Sequence, residues 1–300
     1  MKTNPVYSFV TEKIMAALSK GEIPWRRKWR TQGLPMNFVS KKAYRGINLW
    51  LLAFSGYSSP YWLTYNQAKA KGGLVKKGEK GSMVVFYKLM SFSKDKTDGT
   101  KEDRKFPFLR YYTVFNVEQC EGITVPVSTE PVLTDDQRIE ACEAIVEGMK
   151  DRPEILHGGD SASYCYGTDQ VRMPKFQDFE GGPEYYQTLF HELTHSTRHA
   201  RRLGRKFDGE DHLGSRTFGT ADYSREELVA EMGASFLCGV AGIDDAVVEN
   251  SAAYIQNWMT KLTGDPKFIV QAASFAQKAA DYILDRKAMD EAAEKEEGAE

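Results

Sequence analysis

The sequence predicts an α+β protein of two domains, and three observations carry that reading. Strand patterns (Met83 to Leu89, Tyr111 to Val117) occur together with helical ones (Val6 to Leu18, Asp135 to Lys150, Phe268 to Leu284). Charge reverses along the chain: residues 1–123 hold 22 Lys and Arg against 9 Asp and Glu, and the remainder 18 against 33. Between the halves, residues 124–134 carry Pro126 and Pro131 around Ser128 and Thr129 and read as a linker. The expected units are a basic domain over 1–123, a second domain over 135–288 and a low-complexity acidic tail over 289–300.

Composition narrows the function classes. No run of about eighteen apolar residues suggests a membrane span. The start, Met1-Lys2-Thr3-Asn4-Pro5, lacks the charged-then-apolar order of a signal peptide. A cytoplasmic protein without a membrane partner is expected. Cys120, Cys142, Cys165 and Cys238 lie far apart with no Cys-x-x-Cys pair, which disfavours a disulfide framework or a cysteine zinc knuckle. The basic first half has the electrostatic footprint of a polyanion binder, and the acidic half would repel such a ligand.

In chain order, Val6 to Leu18 places Phe9, Val10, Ile14, Met15 and Leu18 at helical spacing. Trp25-Arg26-Arg27-Lys28-Trp29 follows, where cations alternate with flat rings. Such a stretch suits phosphates and unpaired bases, although any one tryptophan is more often a core residue. Lys41, Lys42, Tyr44 and Arg45 continue the theme and lead into an apolar helix through Leu51 and Leu52. Tyr61 to Tyr65 sets up a helix from Asn66 to Lys71. Lys76, Lys77 and Lys80 belong to a glycine-rich turn before the strand from Met83, and Glu79 stands where a Walker loop needs its lysine. The turn therefore reads as a basic hairpin for a nucleic-acid backbone, or as a solvated turn. Lys94 to Lys105 reads as a charged loop between strands.

Beyond the linker, a helix is expected from Asp135 to Lys150, its two leading aspartates favouring the positive N-terminal end. Tyr164 to Tyr166 and Gln170 to Met173 form two short strands across Gly167-Thr168-Asp169. Zinc peptidases place such an edge strand beside the metal, where an extended substrate can pair with it. Pro183 suits the first turn of the next helix. That helix contains His191-Glu192-x-x-His195. Residues four apart stack on one helix face, so His191 and His195 can hold one metal ion while Glu192 serves as general base. The pattern belongs to zinc metallopeptidases, with Zn2+ or another divalent transition metal as cofactor.

The third ligand is sought on a second acidic helix, Arg225 to Glu231, where Glu227 and Glu231 lie one turn apart. Zinc peptidases of the gluzincin type draw a carboxylate from such a helix, with another acid orienting a ligand histidine. The assignment is Glu227 as ligand and Glu231 behind it, with the reverse kept open; Glu226 reads as solvated. His199 lies too far along the helix to share the ion, and a metzincin set fails because Arg198 and Arg201 occupy the positions it needs. His212 is a candidate for substrate contact and His157 a surface residue. Tyr223 reads as an oxyanion stabiliser or a structural hydroxyl. Arg201 to Lys206 forms a basic island that caps the metal helix or touches nucleic acid. Ala252 to Leu262 and Phe268 to Leu284 are two further helices.

Several separated blocks resemble the ArdC antirestriction family. They are Gly21-x-x-Pro24-Trp25-x-x-x-Trp29, Tyr44 to Asn48, Tyr61-Trp62-Leu63-Thr64-x-x-Gln67-Ala68 and Lys77 to Gly81, and then Met173-Pro174, Tyr185-Tyr186, His191-Glu192-Leu193-x-His195 and Glu226 to Glu231. The resemblance implies a single-stranded-DNA-binding domain fused to a zincin-like metallopeptidase domain. It implies carriage on conjugative plasmids or related mobile elements and protection of incoming DNA from the recipient's restriction enzymes. A peptide or protein substrate is implied without being identified. The rival reading is a pure single-strand binder whose metal is structural or vestigial, and an open three-ligand site argues against a structural metal. A metal-dependent nuclease is the second rival; one zinc with a helix-borne glutamate base is more typical of peptide hydrolysis.

Overall fold

A computed structural model describes residues 5–26, 34–53, 55–95, 101–125, 133–206, 221–243 and 252–286. The first helix, α1 (Pro5–Leu18), buries Val6, Val10, Ile14 and Leu18 along one face, the three-and-four spacing of a helix lying on a core. A single 3-10 turn, Pro24–Arg26, then sinks Trp25. Next come β1 (Met36–Asn37), α2 (Ile47–Ala53), β2 (Tyr61–Thr64) and α3 (Tyr65–Ala70). Thr64 and Gln67 start α3 with reciprocal side-chain to backbone hydrogen bonds of 3.2 and 2.9 Å, which satisfy two of the helix's otherwise unpaired donors.

After β3 (Leu74–Val75), the strands β4 (Ser82–Asp95) and β5 (Lys101–Asn116) form one long antiparallel hairpin, and β6 (Cys120–Glu121) returns to pair with β3. Four strands share a sheet in the order β1-β2-β5-β4, with β1 parallel to β2. The hairpin corrects the expectation of a loop from Lys94 to Lys105. Backbone pairing runs out to Asp95 and Lys101, and the register sets Lys94 opposite Glu102 and Asp95 opposite Lys101. A charged, polar composition is thus compatible with paired strands.

The second half opens with α4 (Asp135–Gly148), started by a Thr134–Gln137 capping box. A three-stranded sheet follows, β7 (Glu154–His157), β8 (Ser163–Cys165) and β9 (Gln170–Met173), with β9 in the middle. The hairpin β8–β9 is the expected one; β7, parallel to β9, is an addition. Then come α5 (Gly182–Ser196), α6 (Ala221–Ala241), α7 (Ala252–Gly264) and α8 (Phe268–Ile283). Pro183 stands in the first turn of α5. Among the described residues no helix is long and apolar enough to cross a membrane.

The main hydrophobic core does not stop at the charge boundary. Val10, Ile14, Trp25, Trp50 and Leu51 belong to the same buried cluster as Leu193, Phe236, Trp258 and Ile283. Trp50 stacks on Phe236 with ring centroids 4.6 Å apart. Thr11 Oγ1 donates to the carbonyl of Pro266 at 2.9 Å, and the amide of Gly46 donates to Gln277 Oε1 at 2.9 Å. Arg45 pairs with buried Asp281 on α8.

Candidate metal centre

Helix α5 puts His191 and His195 on one face, and α6 crosses beside it. The crossing is close because position 233 is glycine: a Cβ there would stand 2.5 Å from Thr194 Cγ2. Thr194 turns its hydroxyl back to the carbonyl of Phe190 at 2.7 Å, and both its methyl and its hydroxyl oxygen lie against Gly233 of α6. With the helices this near, Glu227 faces the histidine pair.

The Nε2 atoms of His191 and His195 are 3.1 Å apart. Glu227 Oε2 lies 3.5 Å from His191 Nε2, and Glu227 Oε1 lies 3.5 Å from His195 Nε2. Ligands about 2.0 to 2.2 Å from a tetrahedral ion stand about 3.3 to 3.6 Å apart. The donor set therefore fits a divalent transition metal, and two imidazole lone pairs aimed at one point suit a proton or a cation between them. His191 and Glu227 remain about one quarter exposed, so the site is open to a ligand on one side. Glu192 is buried on the same turn of α5.

A second layer fixes the histidine. His195 Nδ1 is 3.3 Å from Glu226 Oε1, and Glu226 is held from behind by buried Arg205, whose Nε donates to Oε2 at 3.1 Å. Arg205 also reaches Thr197 Oγ1 at 2.8 Å and the carbonyl of Thr194 at 3.3 Å. With its Nδ1 proton donated to Glu226, His195 keeps the Nε2 lone pair for the site. Burial would push the Glu226 carboxyl up, but Arg205 and His195 hold it down at about 2. Burial likewise lowers the His195 pKa, and the carboxylates of Glu226, Glu227 and Glu192 more than reverse this.

Two expectations are corrected here. Glu226 is not solvated; it is 5% exposed and carries the contact expected of Glu231. Glu231, one turn further along α6, accepts instead from Trp25 Nε1 at 2.7 Å and from the Tyr254 hydroxyl. The basic island after α5 is divided: Arg201 and Lys206 are exposed, whereas Arg202 and Arg205 turn inward, Arg202 in the capping role the sequence allowed. Arg202, its side chain 1% exposed, pairs with Asp169 and donates to the carbonyl of Ser196 at the end of α5, and Arg205 serves Glu226. His199 leaves the helix line and packs against Tyr166. His157 Nε2 is 2.8 Å from the Tyr185 hydroxyl, on which its ring also stacks. His212 and the side chain of Tyr223 lie outside the described residues.

Of the residues expected to meet DNA, Trp25 is a core residue: it is 1% exposed and packs edge-to-face on Trp258. Its face has no room for a base. Arg27, Lys28, Trp29 and the side chain of Arg26 lie outside the described residues. Arg45 is committed to Asp281, and Tyr44 is half-buried against the core. Lys41, Lys76, Lys77 and Lys80 are exposed and Lys42 partly so; Lys76 Nζ donates to the carbonyl of Glu118 at 2.9 Å.

Comparison with known proteins matches both halves. The family described as "N-terminal domain of anti-restriction factor ArdC" matches residues 4–115, and the family described as "Zincin-like metallopeptidase" matches residues 140–275. An uncharacterised protein of Sinorhizobium fredii, y4eC, is 36% identical over 93% of this chain and 91% of its own length. The Escherichia coli DNA primase TraC is 34% identical over 93% of this chain, which spans only 20% of that protein. Crystal structures of the antirestriction ArdC protein from plasmid R388 superpose with TM-score 0.71 in metal-free and Mn(II)-bound forms. They are 36% and 35% identical, covering 93% and 95% of this chain and 96% and 98% of those chains.

Proposed function

The chain belongs to the ArdC antirestriction family, and from that premise we propose that it binds single-stranded DNA through its N-terminal half and hydrolyses a peptide bond at its metal centre, protecting the DNA of a mobile element from restriction. The observation that carries the catalytic part is the convergence of His191, His195 and Glu227 on one point, with Glu192 buried beside it.

An ion held there would supply a Lewis acid to polarise a carbonyl and acidify a water. The two imidazoles and one carboxylate suit Zn2+, and the Mn(II)-bound relative names a second metal to test. Glu226 and Arg205 keep the His195 proton on Nδ1. Glu192 takes the proton of the attacking water on its carboxylate and returns it to the leaving amine. Strand β8, an outer strand of its sheet, offers backbone groups to an extended peptide. For DNA, support comes from the family of the N-terminal half and from its balance of 22 basic against 9 acidic residues.

The test is Glu192→Gln, which keeps the three ligands and removes the base, in a DNA-transfer assay into a restricting recipient. Lost protection with metal content and DNA affinity unchanged is the expected result. Full protection by the variant would favour the rival in which covering DNA suffices.

A further inference from the structure

We propose that a cleft between the turn after β1 and the segment after β6 is a subsite for one unpaired nucleotide of single-stranded DNA. Lys41 and Lys71 meet its phosphates, and Phe38, Val39 and Ile123 meet its sugar and base. The proposal rests on the reading that this protein binds DNA, and it places a contact at residues other than Trp25, where the sequence suggested stacking.

The cleft measures about 320 Å³, the small end of the range of about 300 to 1,000 Å³ for small-ligand sites, so it suits a single nucleotide. Its lining is mixed: Lys41, Lys71 and Thr124 stand there together with Phe38, Val39, Gly122 and Ile123. A ligand that carries both an anionic group and a flat apolar face matches that mixture. A base in a duplex cannot enter, because its faces and edge are already occupied.

The turn is held from within. Asn37 Oδ1 accepts from the amides of Val39 and Ser40 at 2.9 and 3.0 Å, and the Asn37 amide donates to the carbonyl of Lys42 at 2.8 Å. Lys41 sits at its corner with φ 58°, a left-handed conformation that glycine adopts with less strain. Its ammonium lies 4.3 Å from the Phe38 ring centroid and 4.6 Å from that of Tyr61, and those two rings meet edge-to-face at 5.7 Å. Cation–π attraction thus holds the charge beside the aromatic pair. Among the described residues neither Lys41 nor Lys71 has a carboxylate partner, so an incoming phosphate displaces no ion pair.

The test measures binding of fluorescein-labelled dT20 to the full-length protein across a salt series. The double variant Lys41→Gln, Lys71→Gln is compared with Lys20→Gln, Lys267→Gln, which removes the same charge from exposed turns elsewhere on the surface. The first pair should weaken binding at least tenfold and reduce the slope of log affinity against log salt by about 1.4, at about 0.7 per phosphate. The second pair should change affinity less than threefold. Phe38→Leu should lower affinity with the salt slope unchanged. Thermal melts establish that each variant folds. Equal losses from the two double variants would overturn the subsite, as would competition by duplex DNA as effective as that by unlabelled dT20. If the wild-type protein itself does not bind dT20, the DNA reading fails along with the subsite; if it binds and the Lys41, Lys71 variant binds as well, only the subsite fails.

Discussion

Glu226 sets which nitrogen of His195 carries the proton. Its Oε1 is 3.3 Å from Nδ1, and Arg205 keeps it charged, so the lone pair on Nε2 is left facing His191 and Glu227. Glu226→Gln retains an acceptor of similar size and removes the charge. Divalent-metal affinity, read by competition with a chromophoric chelator, should fall about 10- to 100-fold with the fold retained. Glu231→Gln leaves the hydrogen bond to His195 untouched and should lower affinity less. Equal effects of the two would show that Glu226 has no special hold on the histidine. The histidine pair was legible in the sequence because both members sit on one helix, whose geometry fixes four-residue neighbours; Glu227 was narrowed to two positions by the same rule. Glu226 was hidden because it lies about 100° around the helix from Glu227, where an acid ordinarily meets water. What makes the position internal is Arg205, delivered from 21 residues upstream by a turn that periodicity does not describe.

The hairpin β8–β9 is pinned to the end of α5 by one buried ion pair. Arg202 donates to Asp169 Oδ1 at 2.7 Å and Oδ2 at 3.1 Å, and to the carbonyls of Asp151 and Ser196. Burial raises the Asp169 carboxyl, but hydrogen bonds from Arg202 and Tyr164 hold it below the ordinary value. A depressed carboxyl pKa contributes stability above the unfolded value of about 3.9 and loses it as pH falls through the folded one. Asp169→Asn should therefore cost about 3 to 5 kcal/mol at pH 7, since it leaves Arg202 buried without its charge partner. In urea titrations the gap from wild type should close as pH falls below the ordinary carboxylate range; a pH-independent gap would point to packing alone. The hairpin itself was visible in the sequence, because Gly167-Thr168-Asp169 separates two strand-like runs. Strand β7 was not, for it joins β9 in parallel across 16 residues, with Glu154 opposite Gln170. The outer part of the β4–β5 hairpin was missed for a different reason: its residues are charged and polar, and composition alone does not contain the backbone register that pairs the strands.

At the scale of the molecule, the reversal of charge divides surface rather than core. Trp25 illustrates this: its ring packs on Trp258 of α7, and its N–H donates at 2.7 Å to Glu231 of α6. Glu231 lies one turn along α6 from Glu227, so the N-terminal half reaches the helix that carries the candidate third donor. A fragment of residues 1–123 would expose Val10, Ile14, Trp25 and Trp50, all buried in the common core, and should show poor amide dispersion by NMR. Single substitutions separate the core role from a role in stacking. Trp25→Ala should lower stability by about 3 to 5 kcal/mol, as expected for emptying the site of a buried tryptophan. Trp25→Phe keeps most of the ring and removes the donor, leaving Glu231 with the Tyr254 hydroxyl, and should cost about 1 to 3 kcal/mol. In both variants, affinity for dT20 measured below the melting transition should remain within about twofold of wild type, because an indole only 1% exposed is not available to a base. A loss of about 1 to 3 kcal/mol in DNA binding, the usual contribution of one stacked base, with melting unchanged, would mean that the indole leaves the core when DNA is bound. The link from Trp25 to Glu231 would then be broken in the complex, and metal affinity measured with and without dT20 would differ.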